Sequence, residues 1–221
     1  MSVADATKGS VNLAYLTMAM QLDLCNVMEG AAQLGVVKAG GKSGTGVFDA
    51  YPANVLGSQS TTPLALAGAY ATFASGGTYC QPIAITSVQD ASGGRAADPV
   101  GELHPGDQPE IANAMNFAMS KVWEGTGRDI GRPSGYTASG KTGTTSENEY
   151  TWFVGYTPRL ATAVWVGYPD KFTPMQGVRV NGRYIPNMYG ARSRVRRGSG
   201  SWTRRSRTGS RTRSSAPPVQ R

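Results

Sequence analysis

The amino-acid sequence predicts an α+β fold in which an antiparallel sheet is flanked by helices. Trp152, Val154 and Tyr156 alternate with Phe153 and Gly155, and Leu160, Thr162, Val164 and Val166 alternate with Ala161, Ala163 and Trp165. Period-two alternation on both sides of a turn residue, here Pro158, is the signature of a β-hairpin. Upstream, apolar blocks with helical spacing begin at capping residues and stop at glycines. Together these patterns mix local helices with consecutive antiparallel strands.

Taken in order, residues 11–22 predict a helix whose Leu13, Leu16 and Met20 face the core, with Thr17 and Gln21 interrupting the apolar run. Asn26-Val27-Met28-Glu29 has the form of a capping box, and the helix it opens is expected to end near Leu34 with Gly35 just beyond. The Gly- and Ser-rich stretch 38–46 predicts a loop. Thr62 is expected to cap a helix with Pro63 in its first position, running through Ala74 to a stop at Gly76-Gly77. Ile83 to Val88 predicts a strand that turns at residues 90–94. A further helix is expected from Gln108-Pro109-Glu110 to about Trp123, ended by Gly125, then a loop over 125–136 and the strand that carries Lys141.

The net charge of +8 gives a misleading picture of the chain. Ten of the 22 basic residues are arginines in 191–221, a stretch without Lys, Asp or Glu. Set against the 14 acidic residues, residues 1–190 therefore carry a net charge of −2. The high isoelectric point belongs to the tail and does not mark a nucleic-acid protein. Two domains follow: a folded unit over 1–190, and a tail over 191–221 expected to be disordered, being rich in Arg, Ser, Gly and Thr with Trp202 as its one aromatic. Nucleic-acid binding by that tail is not expected, because aromatics are not interleaved with its arginines. No apolar run reaches the roughly 18–20 residues of a membrane span, and no signal peptide is visible, so the chain as written reads as cytoplasmic. Cys25 and Cys80 are expected to be buried as small hydrophobes. One histidine, His104, and two distant cysteines give no metal site, and no cofactor is expected.

Residues 139–146, Ser-Gly-Lys-Thr-Gly-Thr-Thr-Ser, are the most informative stretch. With the two aromatic-rich strands that follow, Lys141-Thr142-Gly143 resembles the substrate-binding edge of the transpeptidase domain of penicillin-binding proteins, closest to the bifunctional class A kind. Ser10-Val11-Asn12, between Ala4-Asp5-Ala6 and Leu13-Ala14-Tyr15-Leu16, resembles that family's Ser-x-Asn motif. The runs 61–74 and 175–190 are similar to it too. The resemblance implies the serine β-lactamase/transpeptidase fold, a five-stranded antiparallel sheet between helices. It implies D-Ala-D-Ala transpeptidase chemistry in peptidoglycan synthesis, with stem peptides and β-lactams as ligands and a membrane-anchored, extracytoplasmic setting.

By the same resemblance, Ser10 relays protons, Asn12 holds the acyl-side amide and Lys141 supplies positive charge. Thr142 binds the substrate carboxylate, Gly143 lets the peptide backbone approach, and Thr144 offers an oxyanion-hole amide.

The family's third motif, S-x-x-K, occurs nowhere in the chain: Asp5, Gly35, Ala39, Ala118, Ala138 and Tyr168 stand three residues before the six lysines. The expected fold therefore lacks the N-terminal strands and the nucleophile helix, and the chain is expected to form no acyl-enzyme. It then reads as an inactive gene fragment, as half of an enzyme completed by a separate chain, or as a non-catalytic binding module. Loss of resemblance near Gly190 suggests a frameshift there.

Residues 135–142 also match the phosphate-binding pattern G-x-x-x-x-G-K-[ST]. That loop must follow a buried strand and open a helix, whereas here a Gly-rich loop precedes it and a hairpin follows, so nucleotide binding is not expected. Gly41-Lys42-Ser43 fails because Val36 stands where the first glycine is required.

Overall fold

A computed structural model of the chain describes residues 1–40, 46–97, 103–104 and 109–190. The expected disordered tail and part of the loop expected over 38–46 lie outside the described residues.

The main sheet has the order β5-β6-β7, with β5 at Ser139–Thr144, β6 at Thr151–Thr157 and β7 at Leu160–Val166, all antiparallel. The Pro158 turn is where the sequence placed it. The register sets Lys141 beside Val154, which pairs in turn with Ala163, and Gly143 beside Trp152, which pairs in turn with Trp165. As the middle strand, β6 carries the core, with Phe153, Val154 and Tyr156 buried. Helix α4 (Pro63–Ala74) packs on β6 and β7, and α5 (Pro109–Ser120) packs on β5. One residue ties these layers together. Asn116 of α5 donates to Phe73 O (3.0 Å), accepts from the Tyr156 hydroxyl (2.6 Å), and offers its carbonyl to Ser139 Oγ (3.1 Å). The 3-10 turn Lys121–Glu124 continues α5, and its Trp123 Nε1 donates to Ala138 O at the entry to β5 (2.7 Å).

Local chemistry explains most helix ends. Thr62 accepts from Ala65 N and Pro63 takes the first turn of α4, as expected. Gly76 and Gly77 then end it in left-handed conformation, with Gly77 N reaching Thr72 O (2.8 Å). Helix α3 (Leu24–Gln33) starts earlier than the capping box suggested. Its cap is Asp23, whose carboxylate accepts from the backbone of Cys25 and Asn26. Its end matches expectation: Gly35, with φ +75°, and Val36 N bonding Ala31 O form the glycine stop.

Three further expectations fail. Helix α2 (Asn12–Ala19) is shorter than 11–22, and Leu13 and Met20 are 75% and 85% exposed. Because the helix is apolar almost all round, spacing alone does not choose its buried face. The choice falls on Ala19, with half-buried Tyr15 four residues earlier, whose hydroxyl bonds buried Thr7. Leu16 stays half-buried. The strand expected over 83–88 is absent; only Val88–Gln89 (β2) pairs, with Arg95–Ala97 (β3), and Ile83 and Ile85 are exposed. Residues 83–87 have no ladder partner among the described residues, and alternation without a partner makes no strand. Cys25 and Cys80 are both exposed, on α3 and on the two-residue strand β1 (Tyr79–Cys80), which pairs with β4 (Leu103–His104). Both thiols should react with a thiol reagent in the folded chain at the rate of an unfolded control; protection of either would contradict this placement.

A helix and a hairpin were not anticipated. Helix α1 (Val3–Gly9) is capped by the Ser2 side chain. Strands β8 (Gln176–Val180) and β9 (Arg183–Asn187) form a hairpin over a small core of Met175, Ile185 and Met188. Its turn residues Asn181 and Gly182 both have positive φ, as a two-residue hairpin of the primed type requires.

Candidate active site

Ser10 terminates α1 in the left-handed region, φ +52° and ψ +48°. Two backbone bonds fix that turn: Ser10 N to Thr7 O (3.3 Å) and Val11 N to Ala6 O (3.0 Å). A non-glycine residue held there carries roughly 1–2 kcal/mol of strain, a cost found most often where a side chain must be aimed. The turn presents the Ser10 hydroxyl toward the sheet, where the Lys141 ammonium donates a hydrogen bond to its Oγ. The two residues lie 131 positions apart, so only the fold brings them together.

Lys141 sits third in β5, and its Nζ also donates to Thr142 O (2.9 Å). Burial lowers its pKa from 10.5 to about 8, because the ammonium loses water, and no charged neighbour contributes. A lysine in that range can hold or release a proton near neutral pH, and Ser10 is the group it would exchange with.

Next along the strand, the Thr142 hydroxyl donates to the Thr126 hydroxyl (2.7 Å). Gly143 has no side chain where one would stand 3.2 Å from Trp152 Cβ, so the strand lies flush with its neighbour. Exposed Thr144 ends β5, and its Oγ1 accepts from Gly190 N (3.2 Å). The structure thus brings Ser10, Lys141 and Thr142 together, with Gly143 and Thr144 continuing the same edge. Asn12, first residue of α2, is exposed and makes no hydrogen bond to that edge among the described residues.

Thr126 escaped the sequence reading. It lies in the loop after the 3-10 turn, between Gly125 and Gly127, and its backbone N–H donates to Lys8 O on α1 (3.2 Å). A Gly-Thr-Gly run marks a place where backbone comes close to something, and that was the available signal.

Comparison with known proteins bears on the family of the chain. The model of the penicillin-binding protein transpeptidase domain matches residues 1–169. Penicillin-binding protein 1A of Aquifex aeolicus is 34% identical over 165 residues, covering 74% of this chain and 23% of that protein. Penicillin-binding protein 1A of Mycobacterium tuberculosis is 30% identical over 212 residues, covering 84% of this chain and 25% of that protein. The chain therefore spans about a quarter of the length of these relatives. Among solved structures, penicillin-binding protein PonA1 of Mycobacterium tuberculosis superposes with a TM-score of 0.74 at 27% identity, covering 99% of this chain and 60% of that one. The PonA1 complex with penicillin V superposes with a TM-score of 0.71 at 28% identity, covering the same shares. The family model covers most of the chain and the relatives and superposed structures bear the same family name, so the chain belongs to the penicillin-binding protein transpeptidase domain family.

Proposed function

We propose that this chain forms two walls of a D-Ala-D-Ala transpeptidase site of peptidoglycan cross-linking, and that the site works in the cell envelope. The observation that carries the reading is the Lys141–Ser10 hydrogen bond, which joins the Lys-Thr-Gly strand to the Ser-x-Asn turn. Ser10 and Lys141 pass protons, Asn12 holds the acyl-side amide of the stem peptide, and Thr142 with Gly143 binds its C-terminal carboxylate. Thr144 N–H stabilises the oxyanion. The attacking serine of an S-x-x-K motif does not occur among the 221 residues, so it must come from outside them. In the complete site that serine displaces the terminal D-Ala, which leaves with a proton as the acyl-enzyme forms.

Equilibrium binding tests the reading on the chain as it stands. The full chain should bind an N-acyl-D-Ala-D-Ala dipeptide reversibly and in competition with penicillin V, and the L,L isomer far more weakly. Lys141→Met should weaken the D,D dipeptide about tenfold, the worth of one charge-assisted hydrogen bond. Equal binding of both isomers, or none of either, would sink the proposal. Fluorescent penicillin should leave no covalent label after denaturation. A label on Ser10 would instead make the Ser10–Lys141 pair the nucleophile and its base.

A further inference from the structure

Two independent contacts hold the Ser10 turn and the Lys-Thr-Gly strand at a fixed separation, and both converge on Gly125-Thr126. On one side, Thr126 N donates to Lys8 O, two residues before Ser10 (3.2 Å). Gly125 lies so close to the same carbonyl that a Cβ there would stand 2.1 Å from Lys8 O and 2.8 Å from Lys8 C. Both are backbone atoms, so they do not rotate away as the tip of a side chain does. On the other side, Thr126 Oγ1 accepts from Thr142 Oγ1 at 2.7 Å. The loop between is stiff: Gly127 N bonds Val122 O (2.8 Å), and a Cβ at Gly127 would come within 3.0 Å of Val122. The circuit closes through Lys141, which bonds Ser10. Ser10, Lys141, Thr142, Thr126 and Lys8 thus form one ring of contacts, with Gly125-Thr126 as the part that belongs to neither motif.

We propose that Gly125-Thr126 is a spacer that sets the width of the groove between the Ser10 turn and β5, making Thr126 a positioning residue for the transpeptidase site. The inference rests on the functional reading above for its purpose, though not for its geometry. Space explains why these two residue types are needed. Only glycine allows the backbone to sit on Lys8 O. A hydroxyl can stand 2.7 Å from another oxygen, whereas a methyl group in its place requires about 3.5 Å. Valine at 126 therefore pushes the two walls apart, and serine does not. A wider groove admits water to Lys141, whose lowered pKa comes from burial.

The test follows Lys141 by carbon NMR of its ε-methylene in the lysine-labelled full chain, assigned with Lys141→Met. The wild-type midpoint should lie near 8. G125A and T126V should each raise it by about one unit as the ammonium is rehydrated, and T126S should restore the wild-type value. Should G125A fail to fold, T126V and T126S decide alone, with thermal unfolding as the control. Folded T126V and G125A with unchanged Lys141 midpoints would overturn the spacer. The dipeptide-binding assay separates this failure from that of the parent reading. If the variants shift Lys141 but wild type binds no D,D dipeptide, the spacer stands and the transpeptidase reading falls. If wild type binds the dipeptide and the variants leave Lys141 unmoved, the spacer falls and the reading stands.

Discussion

Asn148→Ala should lower the unfolding free energy by roughly 2–4 kcal/mol, combining a lost buried hydrogen bond with the strain of a left-handed alanine. Asn148 is buried at φ +60° in the turn between β5 and β6. Its backbone N–H bonds Thr145 O (3.0 Å) and closes the turn. Its carbonyl accepts from Met175 N (3.1 Å), and its side-chain amide donates to Met188 O (3.0 Å). Those last two bonds hold the strand ends that flank the β8–β9 hairpin, which Met188 N also joins through Met175 O (3.1 Å). Two residues later Gly190 N reaches Thr144 Oγ1, so the same anchor supports the end of the Lys-Thr-Gly strand. Variants separate the two contributions. Asn148→Gly tolerates the left-handed backbone and should cost only about 1–2 kcal/mol for the missing bond. Asn148→Asp keeps the shape but sets an acceptor against the Met188 carbonyl, and should cost at least as much as alanine. Urea unfolding of the three variants gives the order; an alanine variant within about 0.5 kcal/mol of wild type would show that the anchor carries no weight.

Asn148 also shows where sequence reading reached its limit. Signals confined to a few neighbouring residues were legible. The β6–β7 hairpin follows from alternation around Pro158, and α4 from Thr62, Pro63 and the Gly76-Gly77 stop. Where two local signals competed, the choice went astray. Asp23 outcompetes Asn26 as the cap of α3 because its carboxylate reaches two free N–H groups at once. The Asn181-Gly182 turn is itself a strong hairpin signal, with Val178 and Val180 leading into it, and it was legible but unused. Facing was worse still. Leu13, Met20, Ile83, Ile85, Cys25 and Cys80 are all solvent-exposed, because composition says what can be buried and only a packing partner decides what is. In the candidate site, Ser10, Lys141 and Thr142 were readable as motifs. Thr126 was not, since its meaning lies in contacts to Thr142 and Lys8, which sequence spacing does not bring together.

The stability of the chain should rise between pH 8 and about pH 10, against the usual alkaline trend, and Lys141 is the reason. Its pKa is about 8 in the folded chain against 10.5 when solvated. Below pH 8 both states hold the ammonium, and the folded state bears the cost of burying it. As pH climbs through the window, the folded chain releases this proton while the unfolded chain keeps it, so added base favours folding. Complete release is worth up to about 3 kcal/mol, at roughly 1.4 kcal/mol per pKa unit. Buried tyrosines then reverse the trend. Burial pushes Tyr156 up to about 12 and Tyr70 higher still, so above pH 10 the unfolded chain loses phenolic protons that the folded chain retains. A maximum near pH 10 follows. Lys141→Met keeps the side-chain length without the charge; it should raise stability at pH 7, abolish the rise above pH 8 and leave the alkaline fall intact. Urea midpoints from pH 7 to 11 for both proteins read this directly. A wild-type profile as flat as that of the variant would mean that Lys141 is hydrated, and that it lacks the near-neutral pKa the Ser10 proton relay needs. The stability forfeited at neutral pH and the proposed chemistry thus share one physical cause, the burial of a single ammonium beside Ser10.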